Sequence, residues 1–303
     1  MNNGFVMSTK VAVINATPIP PRSSRMIIDA LRNMGVEVKY VPLQYLGLLV
    51  GEEESRICLG KDFLELEGGI LRGIGSIVTV EQFFARVAIL KFLEERGIYL
   101  MNSLQSLIST RNKLETLITL YRKGIPVPFT IVSENLRFLY DTLKEKGIND
   151  FVLKPIMGSR GYGSIRIQDV DILFQVGKTL LSNNLPPLIQ RYVDKPKRDI
   201  RAFVIGDEVV AAMYRYSEKS WKTNIAQGAI GIEVKLKGEL EELAIKSTKT
   251  LSLEYAGVDI VEENDRYYVL EINGSPDFEG LMKVTGIDIP EKIAVHFLSK
   301  LRR

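Results

Sequence analysis

Asp259, Glu271 and Asn273 are the residues whose types and spacing best suit chemistry. They lie in YAGVDIVEENDRYYVLEINGSPDFE (255–279), where two strand-like runs, 256–261 and 267–273, flank a polar turn at 262–266. That pattern predicts a β-hairpin. Side chains alternate along a strand, so Glu271 and Asn273 share one face and Ile272 takes the other. A hairpin centred on Asp265 sets Asp259 directly across from Glu271, about 5 Å away. Two carboxylates and an amide oxygen then make an all-oxygen set suited to Mg²⁺. The alternative is a solvated polar face, but like charges directly opposite each other are unfavourable without a cation.

Other residues carry weaker signals. The glycine-rich MGSRGYGS (157–164) follows a strand-like run ending in Lys154. Glycines let backbone N–H groups approach phosphate oxygens closely, and Lys154 adds a point charge. No Lys-Ser/Thr pair follows the last glycine, so this is not a P-loop. Lys113 by itself reads as a solvated helix lysine. Asp199 and Arg201 share a strand face, where Arg201 suits a carboxylate or phosphate, or a surface ion pair. Arg215, Lys222 and Asn224 gather around the only tryptophan, in YRYSEKSWKTN.

Composition limits the chemistry. Cys58 is the only cysteine and His296 the only histidine, which removes an intramolecular disulfide, a thiolate zinc cluster and Ser–His–Asp or Cys–His catalysis. His296, within IPEKIAVHFLSKL, reads as a packing residue. The net charge of +3, from 40 basic and 37 acidic residues, gives no strong pull toward nucleic acid or anionic membrane. The start, MNNGFVMSTK, lacks the plan of a signal peptide, and no apolar run approaches a membrane span, so a cytoplasmic location is expected.

The elements that must position these residues read as an α/β (α+β) chain of three domains. Residues 10–16 and 36–41 read as strands around a helix at 23–34, a βαβ opening that predicts a parallel sheet. The loop TPIPPRSSR lacks the glycines of a dinucleotide fingerprint. Residues 75–80 read as the end of a further strand, 82–95 as a helix and 99–102 as a last strand, closing a first domain at 1–101. A helix over 110–122 begins a central domain, 102–187, with strands at 130–132 and 151–154 and helices at 135–145 and 169–181. NNLPP reads as a hinge. Residues 188–193 open a third, antiparallel domain, 188–303, with strands at 199–205 and 208–216 and the hairpin.

Taken in order, these motifs resemble the ATP-grasp superfamily: a lysine, a lysine with a glycine loop, IQRYV, DIR, a Lys/Arg–Asn segment, and D…ExN. RDIRAFVIGDEVVAAMYR (198–215), AGVDI (256–260) and LEINGSPDFEGLMKVTGIDI (270–289) are similar to the RimK-type glutamate ligases. ILRGIGS (70–76) and EQFFARVAILKFLEERG (81–97) look like the archaeal members that add glutamate to tetrahydromethanopterin or a deazaflavin coenzyme.

The resemblance implies an ATP-grasp fold with a pre-ATP-grasp domain, a central lid domain and a C-terminal domain bearing the metal. It implies an ADP-forming ligase that activates a carboxylate as an acyl phosphate and joins it to an amine. Asp259, Glu271 and Asn273 would hold one or two Mg²⁺, with Mn²⁺ able to substitute. Lys113, Lys154 and the lid loop of Gly158, Ser159, Arg160, Gly161, Tyr162 and Gly163 would touch the ATP phosphates. Gln190, Arg191, Tyr192 and Val193 would meet adenine, and Asp199 the ribose. Arg201, Arg215 and Asn224 would stabilise the reacting groups, and Arg72 and Arg86 would hold an anionic substrate. Substrates would be ATP, L-glutamate and a carboxylate acceptor, namely a coenzyme or a protein C-terminus, and the family suggests a homodimer or homotetramer. Two departures stand out: Arg191 where such ligases usually have Glu, and Gly228-Ala229 where a Gly-Gly pair is usual. Alternatives are a ligase attaching an amino acid to a carrier protein in lysine or arginine biosynthesis, and a nucleotide-binding protein without turnover.

Overall fold

The computed structural model describes residues 10–51, 55–76, 78–158, 163–225 and 228–301. β1 (Lys10–Asn15) is apolar on both faces, as a strand covered on both sides must be. Val11 and Val13 turn to one core and Ala12 and Ile14 to another. α1 (Arg22–Asn33) carries the chain to β2 (Glu37–Pro42), parallel to β1. A small antiparallel sheet that the sequence reading lacked follows: β3 (Leu46–Val50), β4 (Ser55–Leu59) and β5 (Asp62–Phe63). β6 (Gly68–Leu71) then pairs with the other side of β1. After α2 (Val80–Glu95), β7 (Tyr99–Met101) completes the order β2-β1-β6-β7.

Two expectations fail locally here. The described residues of 75–80 do not end a strand: Gly75 has φ of 107°, and Thr79 caps α2 in a reciprocal capping box with Gln82; residue 77 lies outside the described residues. The helix expected over 110–122 is two helices, α3 (Leu104–Arg111) and α4 (Lys113–Arg122), broken at Asn112. The Asn112 side chain accepts from the Leu114 and Glu115 amides at 3.1 and 3.2 Å. Asparagine bonds the backbone this way in competition with the helix ladder, so it favours a cap over an interior position.

The central sheet holds β8 (Thr130–Val132), β9 (Phe151–Lys154), β10 (Ile165–Ile167) and β11 (Leu188–Arg191), in the order β10-β9-β11-β8. Its helices are α5 (Leu136–Glu145), capped by Asn135, and α6 (Ile172–Ser182), which starts later than expected because Asp169 and Asp171 form a turn. β11 was expected to open the C-terminal sheet. Instead it fills the gap between β9 and β8, antiparallel to both.

Five antiparallel strands form the C-terminal sheet: β12 (Arg198–Ile205), β13 (Glu208–Tyr216), β14 (Ile230–Glu233), β15 (Tyr255–Glu263) and β16 (Arg266–Asn273), ordered β14-β13-β12-β15-β16. Ile200, Ala202 and Val204 pack on the face covered by α7 (Glu239–Thr250). Phe203 and Ile205 turn the other way, to α8 (Glu279–Thr285) and α9 (Ile289–Leu301). The β15–β16 turn is Asn264-Asp265, both at positive φ (49° and 60°), the geometry of a two-residue type I′ hairpin. Such a turn alone would set Asp259 opposite Leu270. A bulge between the Asp259–Glu271 and Ile260–Val269 pairs admits Leu270 as the extra residue and restores the expected pairing.

Asn102, fully buried, ties the N-terminal sheet to the C-terminal one. It donates to the Tyr255 and Gly274 carbonyls at 2.8 and 2.6 Å and accepts from the Glu254 amide at 2.6 Å. His296 is more than a packing residue, since its Nε2 lies 2.7 Å from Glu254 Oε2. No helix among the described residues is long and apolar enough to cross a membrane.

Candidate active site

One face of the C-terminal sheet carries the site. Asp199 and Arg201 lie two residues apart on β12 and so point the same way. The register sets Asp199 opposite Arg215, Arg201 opposite Asp259, and Asp259 opposite Glu271. Arg215 donates Nε and Nη2 to Asp199 at 2.7 and 2.8 Å, and its Nη2 lies 3.0 Å from Asp259 Oδ2. Arg201 Nη1 reaches Asp259 Oδ1 at 2.6 Å. Gly257 makes this approach feasible: a Cβ there would stand 2.8 Å from Arg201 Cζ. Burial pushes the Asp259 carboxyl up, but the charges of Arg201 and Arg215 outweigh it and hold the group below its usual range.

Two lysines face this ladder. The break at Asn112 makes Lys113 the first residue of α4; its Nζ donates to the Gly158 carbonyl at 2.7 Å and lies 3.6 Å from Glu271 Oε1. Lys154, at the end of β9, donates to Gln190 Oε1 on β11 at 2.6 Å. Burial pushes its ammonium down to about 8, opposed by Glu271 and reinforced by Lys113. Gly158 and Gly163 bound the loop; Ser159, Arg160, Gly161 and Tyr162 lie outside the described residues.

Gln190, Arg191, Tyr192 and Val193 line a cleft between the two sheets, and Asn224 lines it as well. The Arg191 and Tyr192 amides donate to the Phe129 and Asp150 carbonyls at 2.9 and 3.0 Å. Val193 lines the cleft, and among the described residues nothing accepts a hydrogen bond from its amide. The Arg191 side chain turns to Glu263 in a fork of two 2.8 Å bonds, so the departure at this position serves the β11–β15 contact. Asp199 also lines the cleft; it is 6% exposed, and its carboxylate accepts from both Arg215 and Thr223.

Arg72 and Arg86 part company. Arg72 is 7% exposed and donates to Tyr255 Oη, Ser23 Oγ and the Pro276 carbonyl, a tie between the sheets with no opening to a substrate. Arg86 is half-buried on α2 and donates to the Ile74 carbonyl at 2.8 Å. Sequence reasoning missed Lys195, Thr223, Trp221 and Leu270, all lining the cleft. Lys195 Nζ donates to Thr223 Oγ1 at 3.4 Å; burial pulls its ammonium down against the charge of Asp199. DKPKRD holds Lys195 four residues from Asp199, but neither the wide turn between them nor the bulge at Leu270 has a sequence signature.

By donor type the metal set fits a hard divalent cation: two opposed carboxylates with Asn273 Oδ1, which now accepts from the Ser275 amide at 2.9 Å. No group of three or more His, Cys, Asp or Glu gathers among the described residues, so a cation here would rely on the amide oxygen as well as the two carboxylates.

A sheet bearing alternating arginines and carboxylates, faced across a cleft by two lysines and a glycine-bounded loop, defines a protein of the ATP-grasp class. The RimK-like ATP-grasp domain matches residues 110–297, and the chain belongs to that family. It is an ADP-forming amide-bond ligase. It is 32% identical to tetrahydromethanopterin:α-L-glutamate ligase of Methanococcus maripaludis over 238 residues, 77% of this chain and 79% of that one. It is 34% identical to α-aminoadipate–LysW ligase LysX of Sulfolobus acidocaldarius over 254 residues, 82% and 88% of the two chains. The fold matches that of the ATP-grasp ligase PsnB, solved with a phosphomimetic variant of its minimal precursor, Mg and ADP. There the TM-score is 0.77, at 20% identity over 97% of this chain and 99% of that one.

Proposed function

We propose that the protein adds L-glutamate to an acceptor carboxylate, using ATP. The observation that supports this best is the cross-strand ladder of Arg215, Asp199, Arg201, Asp259 and Glu271 facing Lys113 and Lys154. The acceptor carboxylate attacks the γ-phosphorus of ATP, giving an acyl phosphate and ADP. The glutamate amine then attacks the acyl carbon, phosphate leaves, and the amine loses a proton. No protein nucleophile takes part, and His296, on α9 and paired with Glu254, is not needed.

Asp259, Glu271 and Asn273 would hold Mg²⁺, and the ion would supply charge neutralisation to the phosphates. Lys113 and Lys154 bind phosphate oxygens, and the Val193 amide donates to the adenine edge. Arg201, Arg215 and Asn224 offer donors to the developing oxyanions, already oriented by their neighbours and so needing little reorganisation. A tetrahydromethanopterin-like coenzyme with a terminal carboxylate suits the first relative. Purified protein with Mg²⁺, ATP, L-glutamate and fractionated cell extract should release ADP and yield a product heavier by one glutamyl unit in mass spectrometry. Absence of ADP release across all fractions would remove the ligase reading.

The second relative favours attachment to a carrier protein. A cleft rimmed by Lys195, Lys197 and Lys219 beside Trp221 offers an acidic partner a place to bind. ADP release with α-aminoadipate and not with glutamate would move the chain to that branch.

A further inference from the structure

Arg86 and Arg111 stand together at the loop after β6. Arg111 donates to the Gly75 and Ser76 carbonyls and Arg86 to the Ile74 carbonyl, so both guanidiniums close on the loop after β6. Neither has a carboxylate partner among the described residues, and Arg111 Nε is buried without an acceptor. Burial, then the charge of Arg86, lowers the Arg111 pKa, the mark of cations brought close without compensation. Gly75 is shaped to this pair: it holds φ of 107°, and a Cβ there would lie 2.5 Å from Arg86 Nη1. A guanidinium has five N–H donors, so Arg86 keeps most of its fork for a ligand.

Topology points to the same place. The sheet order β2-β1-β6-β7 reverses beside β1, and open parallel sheets bind ligands outside the carboxyl ends of their strands at such a point. The stretch carrying Ile74, Gly75 and Ser76 follows the carboxyl end of β6 at that position. Arg111 and Lys113 flank the Asn112 break, so their Cα atoms are within about 7 Å of each other. Lys113 in turn touches Glu271. The arginine pair therefore lies next to the reacting centre, on its N-terminal side.

We infer that Arg86 and Arg111 form a clamp for a non-reacting carboxylate of a substrate. This rests on the glutamate-ligase reading, and the carboxylate belongs to the incoming amino acid or to the acceptor. Isothermal titration calorimetry on the full chain loaded with Mg·AMP-PNP tests it, using L-glutamate against L-glutamine and N-acetyl-L-glutamate against N-acetyl-L-glutamine. Arg86→Gln and Arg111→Gln are each expected to weaken one acid about tenfold or more while its amide counterpart and Mg·AMP-PNP stay within about twofold. Arg86→Lys is expected to keep part of the preference. Loss with the first pair assigns the clamp to the amino acid, and loss with the second assigns it to the acceptor. Equal loss for acid and amide would show that the arginines only brace the loop and would overturn the clamp. So would unchanged binding in both variants, or a wild-type protein that binds nucleotide but none of the four ligands. A protein whose acid preference depends on Arg86 and Arg111 but which releases no ADP keeps the clamp and loses the ligase reading.

Discussion

Lys154 offers a test that needs no acceptor. Burial lowers its ammonium from an ordinary 10.5 to about 8, a penalty of about 3 kcal/mol on the charged form. A nucleotide phosphate placed beside it favours that form again, so metal-free ATP should bind with uptake of a proton near pH 8. Because the free protein loses this proton as pH rises through about 8, affinity should fall above that point. With binding confined to the protonated form, Kd scales as 1 + 10^(pH − 8), a rise of about 25-fold from pH 7.5 to 9.5. Fluorescence titration with a labelled ATP analogue, without Mg²⁺, gives the profile, and calorimetry in buffers of different ionisation enthalpy counts the protons. Lys154→Met should bind more weakly at pH 7.5 and lose the pH dependence. A flat wild-type profile, or the same slope in Lys154→Met, would refute the reasoning. The linkage on stability runs the other way: between about pH 8 and 10.5 the unfolded chain carries the extra proton, so the unliganded fold gains stability as pH rises.

Other outcomes follow from the contacts. Glu271→Ala should cut turnover by about a hundredfold or more with the melting temperature unchanged, since the side chain is 35% exposed and its loss opens no core; near-native turnover would refute the metal assignment. Arg201→Lys should lower turnover about a hundredfold in steady-state assays, because a point charge cannot both hold Asp259 and fork onto an oxyanion. Asn102→Ala should destabilise by about 3 kcal/mol, seen as a lower melting temperature in calorimetry, by leaving the Glu254 amide and the Tyr255 and Gly274 carbonyls buried without partners.

The ladder was legible because β-strand alternation is simple. DIR, AGVDI and LEIN each repeat with period two, and their polar members fall on one face. What the pattern could not give was the route to the right register. The turn falls on Asn264-Asp265, and Asp259 meets Glu271 only because Leu270 bulges out, so the expected pairing came from a turn placed half a residue away. β11 was assigned to the wrong sheet because IQRYV reads as a strand in either setting. Its partners, β8 and β9, lie far from it in sequence, and period says nothing about long-range pairing. Asn112 carried a usable signal, a capping residue ahead of Lys113, hidden by the apolar spacing that runs through it. Arg72 and Arg86 looked alike in sequence and separate only by burial, which tertiary packing decides.

The charges of the site also constrain how its ligands bind. Each acidic group proposed for the metal already has a cation: Asp259 has Arg201 and Arg215, and Glu271 has Lys113. A divalent ion arriving alone must displace these contacts and add charge to a site already holding Lys154. A nucleotide arriving alone draws Lys113 toward its phosphates and leaves Glu271 without a partner. Each ligand thus relieves the charge that the other creates, and such coupling is reciprocal. Mn²⁺ binding followed by electron paramagnetic resonance should therefore tighten about tenfold or more in saturating ADP, and ADP should tighten by the same factor in saturating Mn²⁺. Lys113→Met should reduce the coupling, because Glu271 then starts unpaired and binds the ion without help from the nucleotide. Equal Mn²⁺ affinity with and without ADP would show that the ion pairs seen around Asp259 and Glu271 do not compete with the metal.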